Sequence, residues 1–151
     1  GYAAGTVLTR KDIQNELPFG STPMVVEITP AELAAVMERS LSGVEDIAGR
    51  YLQISGFSVV YDLQQPIGHR VISISRNGQP LTEAVYDLVI TDYLKKGGDG
   101  YTMFPSKEIK FVPDHVPSVS SVVSDYIERK SSIKPQVEGR LVNVLTADQG
   151  D

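Results

Sequence analysis

The sequence predicts an α+β domain, in which helices pack against sheets without a regular alternation of strands and helices. Thr29-Pro30-Ala31-Glu32 has the residue types of a helix start, namely a capping threonine, a proline at the first helical position and a reciprocal glutamate. Asn77-Gly78 separates two short strand-like segments, which is typical of a β-hairpin turn. The other candidate helices and strands follow in irregular order, and this favours α+β over a parallel sheet.

The first elements are a short helix, a loop and a strand. Thr9 can cap the helix, with Asp12 as the reciprocal acceptor, and Pro18 ends it. The loop from Phe19 to Pro23 leads into a β-branched strand, Met24 to Ile28. The loop position of Phe19 leaves two interpretations open, a hydrophobic plug under the loop or a binding side chain.

The helix that begins after Thr29 has an apolar stripe that predicts a buried face. Glu38 and Arg39 fall outside the stripe and are expected to form its solvated face. The stripe follows helical spacing and consists of Leu33, Val36, Met37, Ser40 and Leu41.

Strands dominate the middle of the predicted domain. They are expected at residues 51–54, 57–61, 70–75, 79–81 and 86–90. A polar, proline-marked passage then extends to Pro117. A further helix is predicted from about Ser118 to Lys134-Pro135, and Val137 to Leu145 is predicted to be the last strand. The side of this helix expected to be apolar comprises Val119, Val122, Val123, Tyr126 and Ile127.

Composition excludes several classes of protein. The 151 residues are 41% hydrophobic and 22% charged, which suits one folded domain and not a disordered chain. No apolar run approaches the roughly 20 residues of a membrane span. The net charge of −5, without a basic cluster, argues against a nucleic-acid polymer as partner. No disulfide or thiolate chemistry is expected, since the chain has no cysteine.

The glycine-rich stretch after the strand at residues 86–90 is the main candidate binding site. Gly97, Gly98 and Gly100 allow close approach to the main chain, and Asp99 lies among them. A carboxylate there can accept hydrogen bonds from vicinal hydroxyls, and Tyr93 could lie against a ring. A plain turn beside core aromatic residues is the alternative interpretation.

Little in the sequence predicts catalysis. His69 and His115 are expected to be surface residues, because neither has a second metal ligand at a chelating spacing. Lys95 and Lys96 either meet a phosphate or cap a helix C-terminus. The residues therefore predict a binding domain, with no catalytic or metal-binding side chain of its own.

Four ordered motifs, which occur between about Thr6 and Leu145, resemble the C-terminal domain of 5′-nucleotidases. This family includes bacterial UDP-sugar hydrolases and animal ecto-5′-nucleotidases. The motifs are Leu17-Pro18-Phe19-Gly20, Tyr51-Leu52-Gln53-Ile54-Ser55-Gly56, Val60-Tyr61-Asp62 and Tyr93-Leu94-Lys95-Lys96-Gly97-Gly98-Asp99-Gly100-Tyr101, and Val137-Glu138-Gly139-Arg140 is similar to the ending of the ecto-enzymes.

The resemblance implies a layered α/β/β/α fold and a role for three residues. In the family, two aromatic rings sandwich the base and an acid bonds the ribose hydroxyls, and the matching positions are Phe19, Tyr93 and Asp99, beside Gly97 and Gly98. Tyr93 stands where some members have phenylalanine. Ser21 replaces an asparagine frequent in relatives, which removes any polar contact made by that amide.

The resemblance also implies what the whole protein does. Residues 1–151 are expected to be one recognition domain of a periplasmic or extracellular 5′-nucleotidase, inactive on its own. An N-terminal metallophosphoesterase domain, expected upstream of Gly1, would hold two divalent ions of the zinc or manganese type and would be its partner. Alternatives are a 2′,3′-cyclic-nucleotide phosphodiesterase, a UDP-sugar hydrolase, or a module serving mainly in homodimerisation.

Overall fold

The computed structural model describes residues 1–111 and 117–147, which form helices and two sheets. A single 3₁₀ turn within these residues, Gly98–Gly100, follows α3. In chain order the elements are α1 (Arg10–Glu16), β1 (Pro23–Ile28), α2 (Pro30–Leu41), β2 (Ser58–Tyr61), β3 (Val71–Arg76), β4 (Gln79–Pro80), β5 (Tyr86–Thr91), α3 (Asp92–Lys95), β6 (Ile109–Phe111), α4 (Val119–Lys130), β7 (Leu141–Asn143) and α5 (Val144–Ala147).

The two sheets differ in strand direction. In the first, β1 lies between β5 and β6 and is antiparallel to both. Its long ladder with β5 runs from the pair Ile28–Tyr86 to the pair Pro23–Thr91. The second has the order β4-β3-β2-β7, and its β2–β7 pair is parallel whereas the others are antiparallel. The predicted α+β class is confirmed.

Helix α2 begins and packs as its sequence predicts. The backbone amide of Thr29 donates to Glu32, 2.9 Å away, and the amide of Glu32 donates back to the Thr29 hydroxyl. All five residues of the predicted stripe are buried. The start and the buried face of this helix are therefore confirmed.

The main core lies between the first sheet, α2 and the segment that follows the 3₁₀ turn. The rings of Tyr101 and Phe104 are buried and stack with centroids 6.1 Å apart. Burying a large apolar side chain contributes about 1.5–3 kcal/mol to the free energy of folding. Burial of Tyr101 and Phe104 therefore fixes the chain directly after the glycine-rich stretch. The other buried members are Val26, Ile28, Leu33, Val36 and Ile90.

The β3–β4 hairpin is also confirmed. Asn77 and Gly78 both have positive φ, at 54° and 75°. A type I′ turn requires positive φ at both central residues, and asparagine followed by glycine accepts this at the lowest cost.

The strand predicted at residues 51–54 is absent from the described sheets. Two of its backbone groups bond side chains instead: the Leu52 amide donates to Ser40 Oγ at 2.8 Å, and the Ile54 carbonyl accepts from Arg140 Nη1 at 2.6 Å. No ladder with a neighbouring strand is needed to satisfy these groups.

The face of α4 that packs inward matches the prediction in part, since Val119, Val123 and Ile127 are half-buried. Ser120 and Ser124 are buried, whereas Val122 and Tyr126 are exposed. Ser124 Oγ donates to the Ser120 carbonyl at 2.8 Å, so the hydroxyl is satisfied within the helix and a small residue can face the core. The helix also ends earlier than predicted, with Ser131 in the left-handed conformation as its C-cap.

The prediction for the C-terminal third was wrong in two further places. Strand β6 forms inside the passage predicted to be irregular, where three residues gave too short a pattern to detect. The last strand is limited to β7, and Val137 is fully exposed before it. The Arg140 carbonyl accepts from the Val59 amide at 2.8 Å, which brings β7 beside β2.

Candidate functional site

The two loops that carry the predicted site leave the same end of the β1–β5 ladder. The pair Pro23–Thr91 closes that end. Just beyond it, the Thr22 amide donates to Asp92 Oδ1 at 3.0 Å and the Asp92 amide donates to the Thr22 carbonyl at 2.9 Å. The backbone thus brings the loop of Phe19 and the helix of Tyr93 to one edge of the sheet.

Phe19 lies on the loop between α1 and β1, and its residue surface is 90% exposed. Gly20, the next residue, has a φ of 60°, which turns the chain sharply before β1. The interpretation of Phe19 as a hydrophobic plug under the loop is therefore wrong. An unburied phenylalanine at this edge leaves an aromatic face free for a ligand.

Tyr93 lies in α3, half exposed, with its ring against Gly98. A Cβ atom at Gly98 would overlap the ring, so only glycine leaves the ring in this place. Gly97 before it has a φ of 85°, in the left-handed region that glycine accepts without strain. The two glycines thus have separate roles, one in leaving space and one in turning the backbone.

Asp99 is held in an unusual conformation beside Tyr93. Its φ of 53° is positive, which is uncommon for a residue other than glycine. The Tyr93 hydroxyl donates to Asp99 Oδ1 at 2.9 Å and accepts from the Asp99 amide at 3.2 Å. The bond to Asp99 is also the main reason that the pKa of the Tyr93 phenol is raised. The structure thus joins the predicted ring and the predicted acid directly.

Arg39 is a part of this site that the sequence did not predict. Its Nε and Nη2 atoms donate to the Asp99 carbonyl at 3.0 and 2.7 Å. Glu38 is not simply solvated either, since its carboxylate accepts from the Arg70 and Val71 amides at 3.0 and 2.7 Å. The prediction of a merely solvated face was wrong for both residues, because their partners lie far away in sequence.

The two lysines of the motif make structural contacts. Lys95 Nζ donates to the Pro105 carbonyl at 2.9 Å, and Lys96 pairs with Asp92 at 2.9 Å one helical turn away. The hydrogen bonds from Lys96 and from the Thr22 amide lower the pKa of Asp92. Neither ammonium bonds a carbonyl of the α3 C-terminus, so the capping interpretation is not confirmed for the side chains, although Lys96 is the C-cap residue by its backbone.

A spacious cleft lies elsewhere, lined by residues of β1, β3, β5 and the segment 53–57. It has a volume of about 820 Å³ and mixed charge, and it contains none of the predicted site residues. Its charged lining includes Glu27, Arg76, Glu83, Asp87 and Lys110.

Other features of the described residues concern metals and membranes. Within residues 1–111 and 117–147, no three His, Asp or Glu side chains are grouped to hold a metal ion. No helix in this part of the chain has both the length and the apolar character to cross a membrane. His69 is exposed, and His115 lies outside the described residues.

Comparison with known proteins gives consistent matches. A family model described as "5′-nucleotidase, C-terminal domain" matches residues 2–106. A 5′-nucleotidase of Diplobatis ommata is 34% identical over 137 residues, covering 85% of this chain and 23% of that protein. A snake venom 5′-nucleotidase of Macrovipera lebetinus is 33% identical over 144 residues, covering 89% of this chain and 35% of the relative.

Solved structures agree in fold. The 5′-nucleotidase precursor from Thermus thermophilus superposes with a TM-score of 0.79 at 28% identity, over 90% of this chain and 28% of that one. The Haemophilus influenzae NAD nucleotidase has a TM-score of 0.74 at 18% identity, over 90% and 26%, and supports the fold alone. The chain thus spans only about a quarter to a third of these proteins.

Proposed function

The chain belongs to the family of 5′-nucleotidase C-terminal domains, and from this premise we propose that it recognises the nucleoside end of a nucleotide. The whole protein would release phosphate from that nucleotide. The observation that carries the proposal is the shared edge of Phe19 and Tyr93, with Asp99 bonded to Tyr93. Gly97 would turn the backbone at the site, and Gly98 would leave room for the Tyr93 ring.

The chemistry of these side chains suits a nucleoside. Phe19 and Tyr93 offer exposed ring faces, and stacking a base on an aromatic ring contributes about 1–3 kcal/mol while tolerating different bases. The Asp99 carboxylate has a second oxygen beyond the one that Tyr93 uses, and a carboxylate oxygen accepts hydrogen bonds from hydroxyls. Base and ribose would thus be held together at one edge.

Phosphate chemistry would belong to another part of the whole protein. We propose that residues 1–151 are one recognition domain and that two divalent ions, of the zinc or manganese type, lie in an N-terminal metallophosphoesterase domain. Such ions activate water and stabilise charge on the phosphoryl group. The described residues contain no group of side chains that could bind these ions, so the metal site is not assigned to them.

The proposed setting is the periplasm or the cell exterior. The relatives include 5′-nucleotidases of snake venom, which supports an extracytoplasmic location. The N-terminal domain of the same protein is the proposed macromolecular partner, and a second copy of the chain is the alternative. Nucleoside monophosphates are the proposed substrate class, and a panel with cyclic and sugar nucleotides on the whole protein tests it.

Calorimetric titration of the chain with adenosine tests the proposed site. Phe19→Ala and Tyr93→Ala should each weaken binding by roughly 5- to 150-fold, since each removes one stacking face. Tyr126→Ala and Phe111→Ala are matched controls, because these aromatic residues are also well exposed but lie on α4 and β6. Equal binding by all four variants would contradict the site.

A further inference from the structure

The conformation of Asp99 is set by contacts with both its backbone and its side chain. Three of the four residues from Gly97 to Gly100 have positive φ, at 85°, 53° and 77°. Asp99 is the only one of these three that carries a side chain, and left-handed backbone costs a residue of this kind of the order of 1 kcal/mol or more. Contacts from outside the turn would offset this cost.

Arg39 supplies one such contact. Its guanidinium donates two hydrogen bonds to the one carbonyl of Asp99, at 3.0 and 2.7 Å. A planar guanidinium makes such paired bonds with little loss of conformational freedom. Gly100 leaves room for it, because a Cβ atom there would overlap the Arg39 side chain.

The other contact comes from Tyr93. Its hydroxyl bonds both the carboxylate and the amide of Asp99. The carbonyl, the amide and one carboxylate oxygen of Asp99 are thus all held. Neither Arg39 nor the Tyr93 hydroxyl needs to touch a ligand to do this.

We propose that Arg39 is a positioning residue for recognition of the ribose. It would hold the Asp99 backbone so that the carboxylate is already directed to the two vicinal hydroxyls before a nucleoside arrives. Without Arg39, part of the binding free energy would go into ordering the loop. The proposal rests on the proposed function, since it takes Asp99 as the ribose contact.

Two ligands can separate a role of Arg39 in positioning Asp99 from a general effect of Arg39 on the stability of the fold. Adenosine carries both vicinal hydroxyls, whereas 2′,3′-dideoxyadenosine keeps the base and lacks them. Arg39→Gln should raise the Kd for adenosine by about tenfold, which is the scale of the cost of ordering one loop residue on binding. The same change should leave the Kd for the dideoxy compound unaltered. Arg39→Lys, which keeps the charge without the paired geometry, should lie between.

Arg129→Gln provides the matched control. Arg129 occupies the last turn of α4, as Arg39 occupies the last turn of α2, so charge and helical position are the same. Asp99→Asn should weaken adenosine binding as Arg39→Gln does, and the double variant should lose no more. Equal weakening of both ligands by Arg39→Gln, or no weakening of either, would overturn the proposal.

A measurement without ligand tests the positioning role of Arg39 separately from the proposed recognition of a nucleoside. Amide hydrogen exchange at Asp99 should be faster in Arg39→Gln than in the wild type or in Arg129→Gln, because the loop loses its anchor. If the wild type binds neither nucleoside, the proposed function fails. The hydrogen-exchange rate at Asp99 still shows in that case whether Arg39 holds the Asp99 backbone. An unchanged rate in Arg39→Gln would overturn the positioning role.

Discussion

Tyr93 differs from phenylalanine by one hydroxyl group, and this chain uses that hydroxyl twice. It donates to the Asp99 carboxylate and accepts from the Asp99 amide. The ring face and the hydroxyl therefore serve different ends, because the face is free to stack while the hydroxyl holds the acid. Replacing the ring and replacing the hydroxyl should have separable effects.

Removal of the ring should affect substrate capture more than chemistry. If the whole protein has the proposed activity, Tyr93→Ala in it should lower kcat/KM for AMP by roughly 5- to 150-fold. Most of this should come through KM, because stacking remote from the phosphorus is about equal in ground and transition states. A smaller effect on kcat would follow if the stacked base also holds a closed form of the enzyme. Steady-state kinetics measure both constants.

A substrate without a base provides the control for Tyr93→Ala. p-Nitrophenyl phosphate has no nucleoside, so the wild type and the variant should hydrolyse it equally. If the variant lost this activity too, Tyr93 would be a structural residue and not a base contact.

Gly98 should be sensitive to a single methyl group. Gly98→Ala would displace the Tyr93 ring, so it should weaken adenosine binding about tenfold or more by disturbing the stacking face. Gly49→Ala is the matched control, since that glycine has open space around its Cα and no positive φ. Calorimetric titration of both variants with adenosine compares their Kd values. An unchanged Kd in Gly98→Ala would mean that the Tyr93 ring moves aside without losing its contact with the base.

At the scale of elements, the N-terminus of α2 predicts a dependence of stability on pH. The contacts with Lys107 and Thr29 lower the pKa of Glu32 from 4.5 to about 2. A carboxyl group whose pKa is lower in the folded state stabilises the fold above its unfolded pKa, and this contribution is lost as the pH falls from about 4.5 towards 2.

Glu32→Gln should therefore be less stable than the wild type at pH 7, and the difference should shrink as the pH falls through that range. Urea unfolding at several pH values measures it, with the exposed Glu108→Gln as control. A difference that stays constant with pH would mean that the carboxylate charge is not what stabilises the helix start.

Local signals in the sequence predicted some elements and not others. The start of α2 and the β3–β4 turn depend on neighbours within four residues, so their patterns were sufficient. The segment at residues 51–54 has strand composition, but its partners are Ser40 and Arg140, which no local pattern reveals. In α4 the apolar residues predicted the inward face only in part, because serines that bond within the helix can be buried.

At the scale of the whole molecule, the chain should bind without catalysing. Purified residues 1–151 should release no phosphate from AMP, even with added Zn²⁺ or Mn²⁺, because the described residues group no metal ligands. A phosphate-release assay after removal of contaminating phosphatases tests this. Turnover that persists through repurification would contradict the assignment of recognition and chemistry to separate domains.

The candidate site was predictable in part. Motif resemblance proposed Phe19, Tyr93 and Asp99, and residue types alone supported a role for the last two. Arg39 could not be predicted, because its contact with Asp99 spans 60 positions and its place on the helix indicated only exposure. Contacts of this kind depend on how α2 packs, which sequence spacing does not give.

The reciprocal bonds between Thr22 and Asp92 have a mechanical consequence. They join the end of the Phe19 loop to the start of α3, just beyond the last residue pair of the β1–β5 ladder. These two segments therefore cannot separate at that point without breaking hydrogen bonds between β1 and β5. Adjustment of the site to a ligand is then left mainly to the exposed Phe19 side chain and its loop, because the Tyr93 hydroxyl is bonded to Asp99.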